Sequence, residues 1–267
     1  MGLVPAELAA SAVLAHCRAL IDATAEACVA VKLQLARFEV LGAPGWSALR
    51  ELAAFARERG LLVIADGKRG DIDVTAAAYA AALFGGLDSP FGALPGLGAD
   101  LATVNPLMGI DAVQPFIDAA RAAGAGVLLL VRTSNPGACD VEDLALGGDG
   151  GERTVWERLA GIVHELGADG VGEHGLSDVG AVIGATEPRH LVRARELMPN
   201  APFLLPGVGA QGGRVDELRP AFLPGRAGAL ISASRSISEA HRASGGEPRN
   251  AAREQAQRLR EQAFSLS

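Results

Sequence analysis

The sequence predicts an α/β protein of the (β/α)8-barrel class, with seven strands evident in its 267 residues. Short runs rich in Val, Leu and Ile recur along the chain and alternate with longer segments in which apolar residues have helical spacing. Runs that are apolar on both faces are typical of buried parallel strands, which need crossover helices. An open doubly wound sheet is the alternative, but no GxGxxG motif follows an early strand and polar residues stand at nearly every strand end.

The predicted elements follow one another along the whole chain, which we expect to form a single domain over residues 1–267. The predicted strands are 28–33, 61–65, 101–104, 126–131, 180–184, 202–205 and 228–232. The clearest predicted helices are 5–27, 46–59, 111–123, 153–166 and a closing surface helix at 249–267. The glycine-rich segments 85–99 and 137–152 lack periodicity, which predicts long loops that are either functional lids or mobile insertions.

The composition indicates an acidic protein with no general affinity for nucleic acid or for acidic membranes, since its net charge is −7 and its pI is near 5.3. Cys17, Cys28 and Cys139 are too few for a disulfide framework and indicate reduced thiols in the cytosol. No basic signal-peptide region and no apolar run of the roughly 18 residues that a membrane span needs are present. The histidines form no HxH or HExxH pair, so the sequence indicates no metal site.

The strongest candidate site follows the strand at 61–65, where Asp66, Lys68 and Asp71 occur close together. Because successive strand residues point to opposite faces, Asp66 and Lys68 point the same way, into the mouth of the predicted barrel. The alternative is a solvated turn in which the charges form an ordinary ion pair and Asp71 is the N-cap of the following helix. Lys32, a lone cation in the preceding strand, either belongs to this site or snorkels from an edge strand.

Polar loops after the later strands indicate a binding site for a heterocycle and a phosphate. RTSNPG at 132–137 offers hydroxyls and amides to a heterocycle edge, or forms a plain turn. The glycines of PGVGAQGG at 206–213 let backbone N–H groups approach an anion, and Arg235 of SRSI at 234–237 adds donors that match phosphate oxygens. Because the loops after the last two strands recurrently bind phosphate in such barrels, these two segments favour a phosphate ligand.

These motifs, in this order, resemble the orotidine 5′-phosphate decarboxylase family, most closely its longer bacterial subgroup, over roughly residues 5–265. The matching segments are AVKLQLARFE (30–39), DGKRGDI (66–72), VNPLMGID (104–111), RTSNPG (132–137), GAVIGAT (180–186), PGVGAQGG (206–213) and SRSI (234–237). DxKxxDI combined with PGxGxQGG is specific, whereas each half alone is ambiguous within the wider superfamily. The resemblance implies decarboxylation of orotidine 5′-phosphate to uridine 5′-phosphate in pyrimidine biosynthesis, with no cofactor and no metal.

The resemblance also implies a role for each matching residue. The implied catalytic residues are Lys32, Asp66, Lys68 and Asp71, with Lys68 stabilising the carbanion at C6 and donating the proton. The implied substrate-binding residues are Thr75, Ser134, Gln211, Gly212, Ser234 and Arg235. Ser134 would read the pyrimidine edge, while Gln211, Arg235 and the backbone around Ser234 would hold the phosphate. Asp71 and Thr75 would reach into the neighbouring subunit's site, so the resemblance implies a homodimer with shared active sites.

Some positions depart from the family's pattern. Asp73 stands where the family commonly has glycine, and Leu33 where this subgroup commonly has proline. Nothing before Lys32 matches the family's first strand with its Gly-hydrophobic-Asp-Pro motif. We therefore expect the reading frame before Met1 to encode that strand, which would make the 267-residue form a truncated start with low activity.

Two alternative functions remain open from the sequence. One is a sugar-phosphate decarboxylase or aldolase of the same superfamily, enzymes that share DxKxxD and usually need Mg²⁺. The other is a catalytically impaired paralogue that only binds nucleotides or partners, and the unmatched first strand is its main support.

Overall fold

The computed structural model describes residues 4–147, 153–209 and 211–266. Its strands are β1 (Ala30–Gln34), β2 (Leu62–Arg69), β3 (Leu87–Ser89), β4 (Gly92–Leu94), β5 (Leu101–Val104), β6 (Gly126–Arg132), β7 (Ala145–Leu146), β8 (Arg153–Thr154), β9 (Val179–Ile183), β10 (Phe203–Pro206) and β11 (Ala229–Ser232). Its helices are α1 (Pro5–Thr24), α2 (Ala36–Glu39), α3 (Ala43–Glu58), α4 (Asp73–Leu83), α5 (Ile110–Ala122), α6 (Val155–Gly167), α7 (Arg189–Leu197), α8 (Arg235–Ser238), α9 (Ala240–Ser244) and α10 (Pro248–Phe264). Among these helices, none is both long and apolar enough to cross a membrane.

Seven of the described strands form one parallel sheet, in the order β1-β2-β5-β6-β9-β10-β11. They are the seven strands that the sequence predicts, and the main predicted helices are found between and around them. The sheet order follows the chain without reversal, whereas a doubly wound sheet reverses its order at a switch point. The predicted barrel class is therefore confirmed, and the doubly wound alternative is wrong.

A small apolar cluster shows that the strands curve around a common axis. Its members are the buried Ile64, Leu128, Val182 and Leu204 and the partly buried Ala30, Leu101, Leu130 and Leu230. All seven strands contribute to it, including β1 and β11, which would lie far apart if the sheet were flat. The cluster is thus the filled interior of a small barrel.

The alternation of side chains decides which residues reach the barrel mouth. Val63 of β2 packs in the large core between the sheet and the helices, whereas Ile64 lies in the interior cluster. Asp66, two residues after Ile64, starts from the same interior side. In the parallel pairing of β1 with β2, Lys32 is level with Ile64 and Gln34 with Asp66. Lys32, Gln34 and Asp66 therefore converge at the carboxyl end of the barrel.

The two glycine-rich segments differ from each other in the structure. Segment 85–99 contains the antiparallel hairpin β3–β4, which lies between α4 and β5 and does not join the barrel sheet. The prediction of a loop without secondary structure is wrong here, because three-residue strands are too short to show an alternating pattern. Segment 137–152 follows β6 on the mouth side and contains β7, while its residues 148–152 lie outside the described residues.

Candidate active site

Lys32, Asp66 and Lys68, which we call the charged cluster, are joined by ion pairs at the barrel mouth. Asp66 is only 4% exposed; its Oδ2 accepts from Lys32 Nζ and its Oδ1 from Lys68 Nζ, each at 2.6 Å. The Lys32 side chain is 17% exposed and the Lys68 side chain 44%. Lys32 therefore belongs to this site and does not snorkel from the edge strand. These two are also the only lysines in the sequence, in which every other basic side chain apart from histidine is an arginine.

A bulge in β2 aims the two charged residues that follow its apolar part. Residues 66–68 of β2 lie opposite the single residue Thr103 of β5. Lys68 has a φ of +50°, in the left-handed region that residues other than glycine rarely adopt. Bulges of this kind re-aim side chains next to active sites. Regular strand alternation correctly predicts that Asp66 and Lys68 lie on the same side of β2. Their contact, however, depends on the bulge and on the left-handed backbone conformation of Lys68.

The charged cluster carries an excess of positive charge. Burial of the Asp66 carboxyl by itself raises its pKa, but the charges and hydrogen bonds of Lys32 and Lys68 outweigh burial and hold the pKa below its usual value. Asp66 is therefore a carboxylate at neutral pH, shared by two ammonium groups. An excess positive charge at a partly buried position attracts an anionic ligand and stabilises negative charge that develops beside it.

Asp71 and Thr75 lie apart from the charged cluster, beside and within the first turn of α4. Asp71 Oδ1 accepts the backbone N–H of Ile72 at 2.8 Å, and Thr75 is exposed. Within the part of the chain that the structure describes, neither side chain is bonded to the charged cluster. Their implied role therefore depends on a second copy of the chain.

The loops after β6, β10 and β11 meet on the other side of the mouth. Ser134 Oγ donates to Gln211 Oε1 at 2.9 Å, so the structure brings these two predicted site residues together. Gly184 lies directly behind Ser134, since a Cβ there would be 2.7 Å from the Ser134 Cα. Gly209, with a φ of +76°, approaches the next loop so closely that a Cβ would be 3.2 Å from the Ser236 Cβ. Gly184 follows β9, so small residues at these positions let the loops after β6, β9, β10 and β11 pack against one another.

The remaining predicted phosphate ligands lie at this loop junction. Ser234 is the N-cap of α8 and Arg235 its first residue, and both are exposed. The N–H of Gly212 donates to the Gly209 carbonyl at 2.8 Å, so in this conformation it closes the loop rather than facing a ligand. We name Ser134, Gln211, Ser234 and Arg235 the loop side of the mouth.

Comparison with known proteins assigns the chain to a family, because residues 12–254 match the family model of orotidine 5′-phosphate decarboxylase / HUMPS. The chain belongs to the orotidine 5′-phosphate decarboxylase / HUMPS family. Proteins named orotidine 5′-phosphate decarboxylase from Deinococcus radiodurans and Rhodopirellula baltica are 45% and 41% identical over 87% of this chain, which corresponds to 79% and 75% of those proteins. The solved structure of Leishmania donovani OMP decarboxylase is 33% identical, with a TM-score of 0.73, over 96% of this chain and 89% of that one.

The backbone conformation of Asp73 can be compared with the glycine that the orotidine 5′-phosphate decarboxylase family commonly has at this position. Its φ is +46°, in the region that favours glycine, which is the residue that the family commonly has there. Aspartate tolerates this conformation better than most residues, because its short polar side chain can hydrogen-bond locally. The substitution is therefore compatible with the local backbone of the family.

Sequence reasoning missed two residues that contact the charged cluster in this family member. Gln34 Nε2 donates to the Asp66 carbonyl at 3.1 Å, and its Oε1 lies 3.4 Å from Lys32 Nζ. Thr103 Oγ1 donates to Asp66 Oδ1 at 3.0 Å and accepts the Lys68 backbone N–H at 2.9 Å. Both are polar residues within or at the end of an apolar strand, which is the signal that singled out Lys32.

Sequence reasoning also missed the structural role of a buried arginine behind the loop side. Arg132 is 5% exposed, and its guanidinium holds Asp143 through two bonds of 2.8 and 3.0 Å. It also donates to the Thr133 carbonyl at 2.7 Å, while the Thr133 N–H donates to Glu142 at 2.8 Å. These bonds fix the backbone on both sides of Thr133, directly before Ser134.

Proposed function

We propose that this enzyme converts orotidine 5′-phosphate to uridine 5′-phosphate without a cofactor. Relatives named for this activity align with most of the chain and support the proposal. The observation that carries it is the buried Asp66 carboxylate, which holds two ammonium groups at the barrel mouth. A cytosolic location, which the sequence predicts, belongs to the same proposal.

The chemistry of the reaction needs a fixed ammonium group. When the bond between C6 and the carboxylate breaks, carbon dioxide leaves and the electron pair stays on C6 in the plane of the ring, where the π-system stabilises it poorly. An ammonium placed at C6 stabilises that charge as it develops and then gives its proton to C6. We assign this role to Lys68, because it is the more exposed of the two lysines and its Nζ is held by Asp66.

The other residues of the charged cluster support Lys68 in this proposal. Lys32 holds the second oxygen of Asp66 from the neighbouring strand, so the carboxylate cannot turn away from Lys68. Asp66 holds the Lys68 ammonium in position through their 2.6 Å ion pair, and it would lie next to the position from which the substrate carboxylate departs.

The loop side binds the rest of the nucleotide in this proposal. Ser134 reads the pyrimidine edge, and Gln211, Ser234 and Arg235 hold the phosphate. Gly212 joins them when its N–H releases the Gly209 carbonyl, to which it is bonded in the present conformation. The Ser134–Gln211 bond and the close approach of Gly209 to Ser236 support this division, because they bring the three loops to one point. Binding energy gained at the phosphate, remote from C6, can then drive closure of the loops around the substrate.

A homodimer with shared sites completes the proposal. Four large exposed apolar side chains follow β2 and β5 at the mouth: Ile72, Val74, Leu107 and Met108. Those at 72 and 108 lie on neighbouring segments, since a Cβ at Gly70 would be 3.3 Å from Met108 Cε. Exposed apolar clusters of this kind mark interaction sites. A second copy seated there would bring its Asp71 and Thr75 to the neighbouring mouth.

The test is an assay of the purified protein on orotidine 5′-phosphate, followed by the loss of substrate absorbance, with and without a metal chelator. We expect turnover that the chelator does not change. Turnover of a sugar phosphate that stops with the chelator would instead indicate the metal-dependent relatives of the superfamily. Binding of uridine 5′-phosphate with no turnover would indicate a nucleotide-binding paralogue.

A further inference from the structure

We propose that Thr103 is a positioning residue for Lys68, because its one hydroxyl joins the Asp66 carboxylate to the Lys68 backbone. Thr103 lies on β5, is 1% exposed and touches both partners at once, at 3.0 and 2.9 Å. The inference rests on the proposed function, since it assigns to Thr103 the placement of the group that serves C6.

The direction of the hydrogen bonds around Thr103 follows from its two partners. The Lys68 backbone N–H can only donate, so the Thr103 oxygen accepts from it. The hydroxyl proton is then directed to Asp66 Oδ1, which as a carboxylate can only accept. A chain of bonds with one direction therefore runs from the Lys68 backbone through Thr103 to the carboxylate that holds the Lys68 ammonium. Each bond in such a buried chain polarises and strengthens the next.

The bulge in β2 explains why a side chain is needed at this point. The pairing of β2 with β5 passes from Ala65–Ala102 to Arg69–Val104, so the Lys68 N–H has no place in the regular ladder. The Thr103 hydroxyl takes the place of the missing backbone acceptor.

The hydroxyl also opposes relaxation of the Lys68 backbone. A lysine with a φ of +50° is in an unfavourable conformation unless its surroundings hold it there. From this conformation Lys68 Nζ reaches Asp66 Oδ1 at 2.6 Å. Removal of the hydroxyl should therefore let the backbone relax and move the ammonium away from the position that C6 occupies.

The experiment compares Thr103→Val, which keeps the shape and removes the hydroxyl, with Thr103→Ser, which keeps the hydroxyl. We expect kcat of Thr103→Val to fall about 10- to 100-fold, because a misplacement near one ångström has an effect of that size. KM for orotidine 5′-phosphate and Kd for uridine 5′-phosphate should change by less than about threefold, since the loop side is untouched. Thr103→Ser should retain kcat within about threefold of the wild type.

Matched controls separate positioning from general damage. Thr24→Val removes a hydroxyl that donates to the Leu20 carbonyl at 2.9 Å in α1, remote from the mouth, and should leave kcat unchanged. The exchange rate of the Lys68 amide hydrogen should rise about tenfold or more in Thr103→Val and stay near the wild-type rate in Thr103→Ser.

Two results would overturn the assignment. One is a Thr103→Val enzyme with wild-type kcat and wild-type protection of the Lys68 amide; the other is a Thr103→Ser enzyme as slow as Thr103→Val. If Thr103→Val fails to fold, Thr103→Ala takes its place and Thr103→Ser still decides. Amide exchange requires no turnover, so a wild-type protein that is inactive on orotidine 5′-phosphate would refute the proposed function while the hydrogen bond is still tested.

Discussion

The two sides of the barrel mouth are held in different ways. The charged cluster and Thr103 come from three neighbouring strands, β1, β2 and β5, and are joined by bonds of 2.6 to 3.0 Å. On the loop side, Gln211, Ser234 and Arg235 are exposed, and the Ser134–Gln211 bond joins loops that follow different strands. Under the proposed function, the charged groups would be in place before the substrate arrives, as electrostatic catalysis requires, whereas the exposed side chains of the loop side would adjust to the ligand.

The largest expected effect comes from removing a member of the charged cluster. Lys68→Ala should lower kcat about a thousandfold or more, because under the proposed function it removes both the charge at C6 and the proton donor. Affinity for uridine 5′-phosphate should remain within about tenfold of the wild type, since the phosphate is bound elsewhere. Steady-state kinetics and isothermal calorimetry measure the two quantities. Near-normal kcat would show that another group serves C6.

A second test asks whether a second copy of the chain contributes its Asp71 to the charged cluster. Lys68→Ala and Asp71→Ala proteins should each be inactive, but a mixture allowed to exchange subunits should regain about a quarter of wild-type activity, because half of the dimers are mixed and each contains one intact site of two. Activity and subunit exchange are measured on the same sample. A mixture that exchanges subunits and stays inactive would show that Asp71 acts within its own chain.

Changes on the loop side should have smaller effects that depend on the phosphate. Arg235→Ala and Gln211→Ala should each weaken binding of uridine 5′-phosphate by about 1–3 kcal/mol, the range for hydrogen bonds to charged groups. Uridine, which lacks the phosphate, is the matched ligand and should bind the variants and the wild type alike. Equal losses for both ligands would contradict a phosphate role.

The smallest expected effect is a pH dependence of the free energy of unfolding, caused by His190, which lies behind the loop side. His190, which stacks edge-on against Trp156, has its pKa lowered, first by burial and then by the positive charge of Arg132. Between its native pKa and the unfolded value of about 6.5, the unfolded chain binds more protons, so the free energy of unfolding should fall as the pH drops. Urea unfolding at pH 8 and pH 5.5 measures this, with His190→Phe as the variant that cannot titrate. The wild type's advantage over that variant should shrink at pH 5.5; an unchanged or larger advantage would contradict the prediction.

Sequence patterns predicted the barrel because each strand is a local apolar run. They predicted the charged cluster because Lys32 lies within one such run and Asp66 and Lys68 directly follow the next. The role of Thr103 could not be predicted, since it depends on the pairing of β2 with β5, residues that are far apart in the chain. The hairpin within 85–99 escaped detection because its strands are too short for periodicity. The proposed role of Asp71 at the mouth of a second chain could not be assessed either, because it depends on how two copies would pair, which a single sequence does not describe.

The restriction of lysine to positions 32 and 68 has a practical consequence for chemical labelling. Arginine keeps its proton and reacts poorly as an amine, so the two lysine amines that an amine-selective acylating reagent can modify in this sequence both lie at the mouth. Lys68, the more exposed of the pair, should be modified before Lys32, and bound uridine 5′-phosphate should shield it. Peptide mass spectrometry would then report occupancy of the mouth directly, without a tag or an engineered residue.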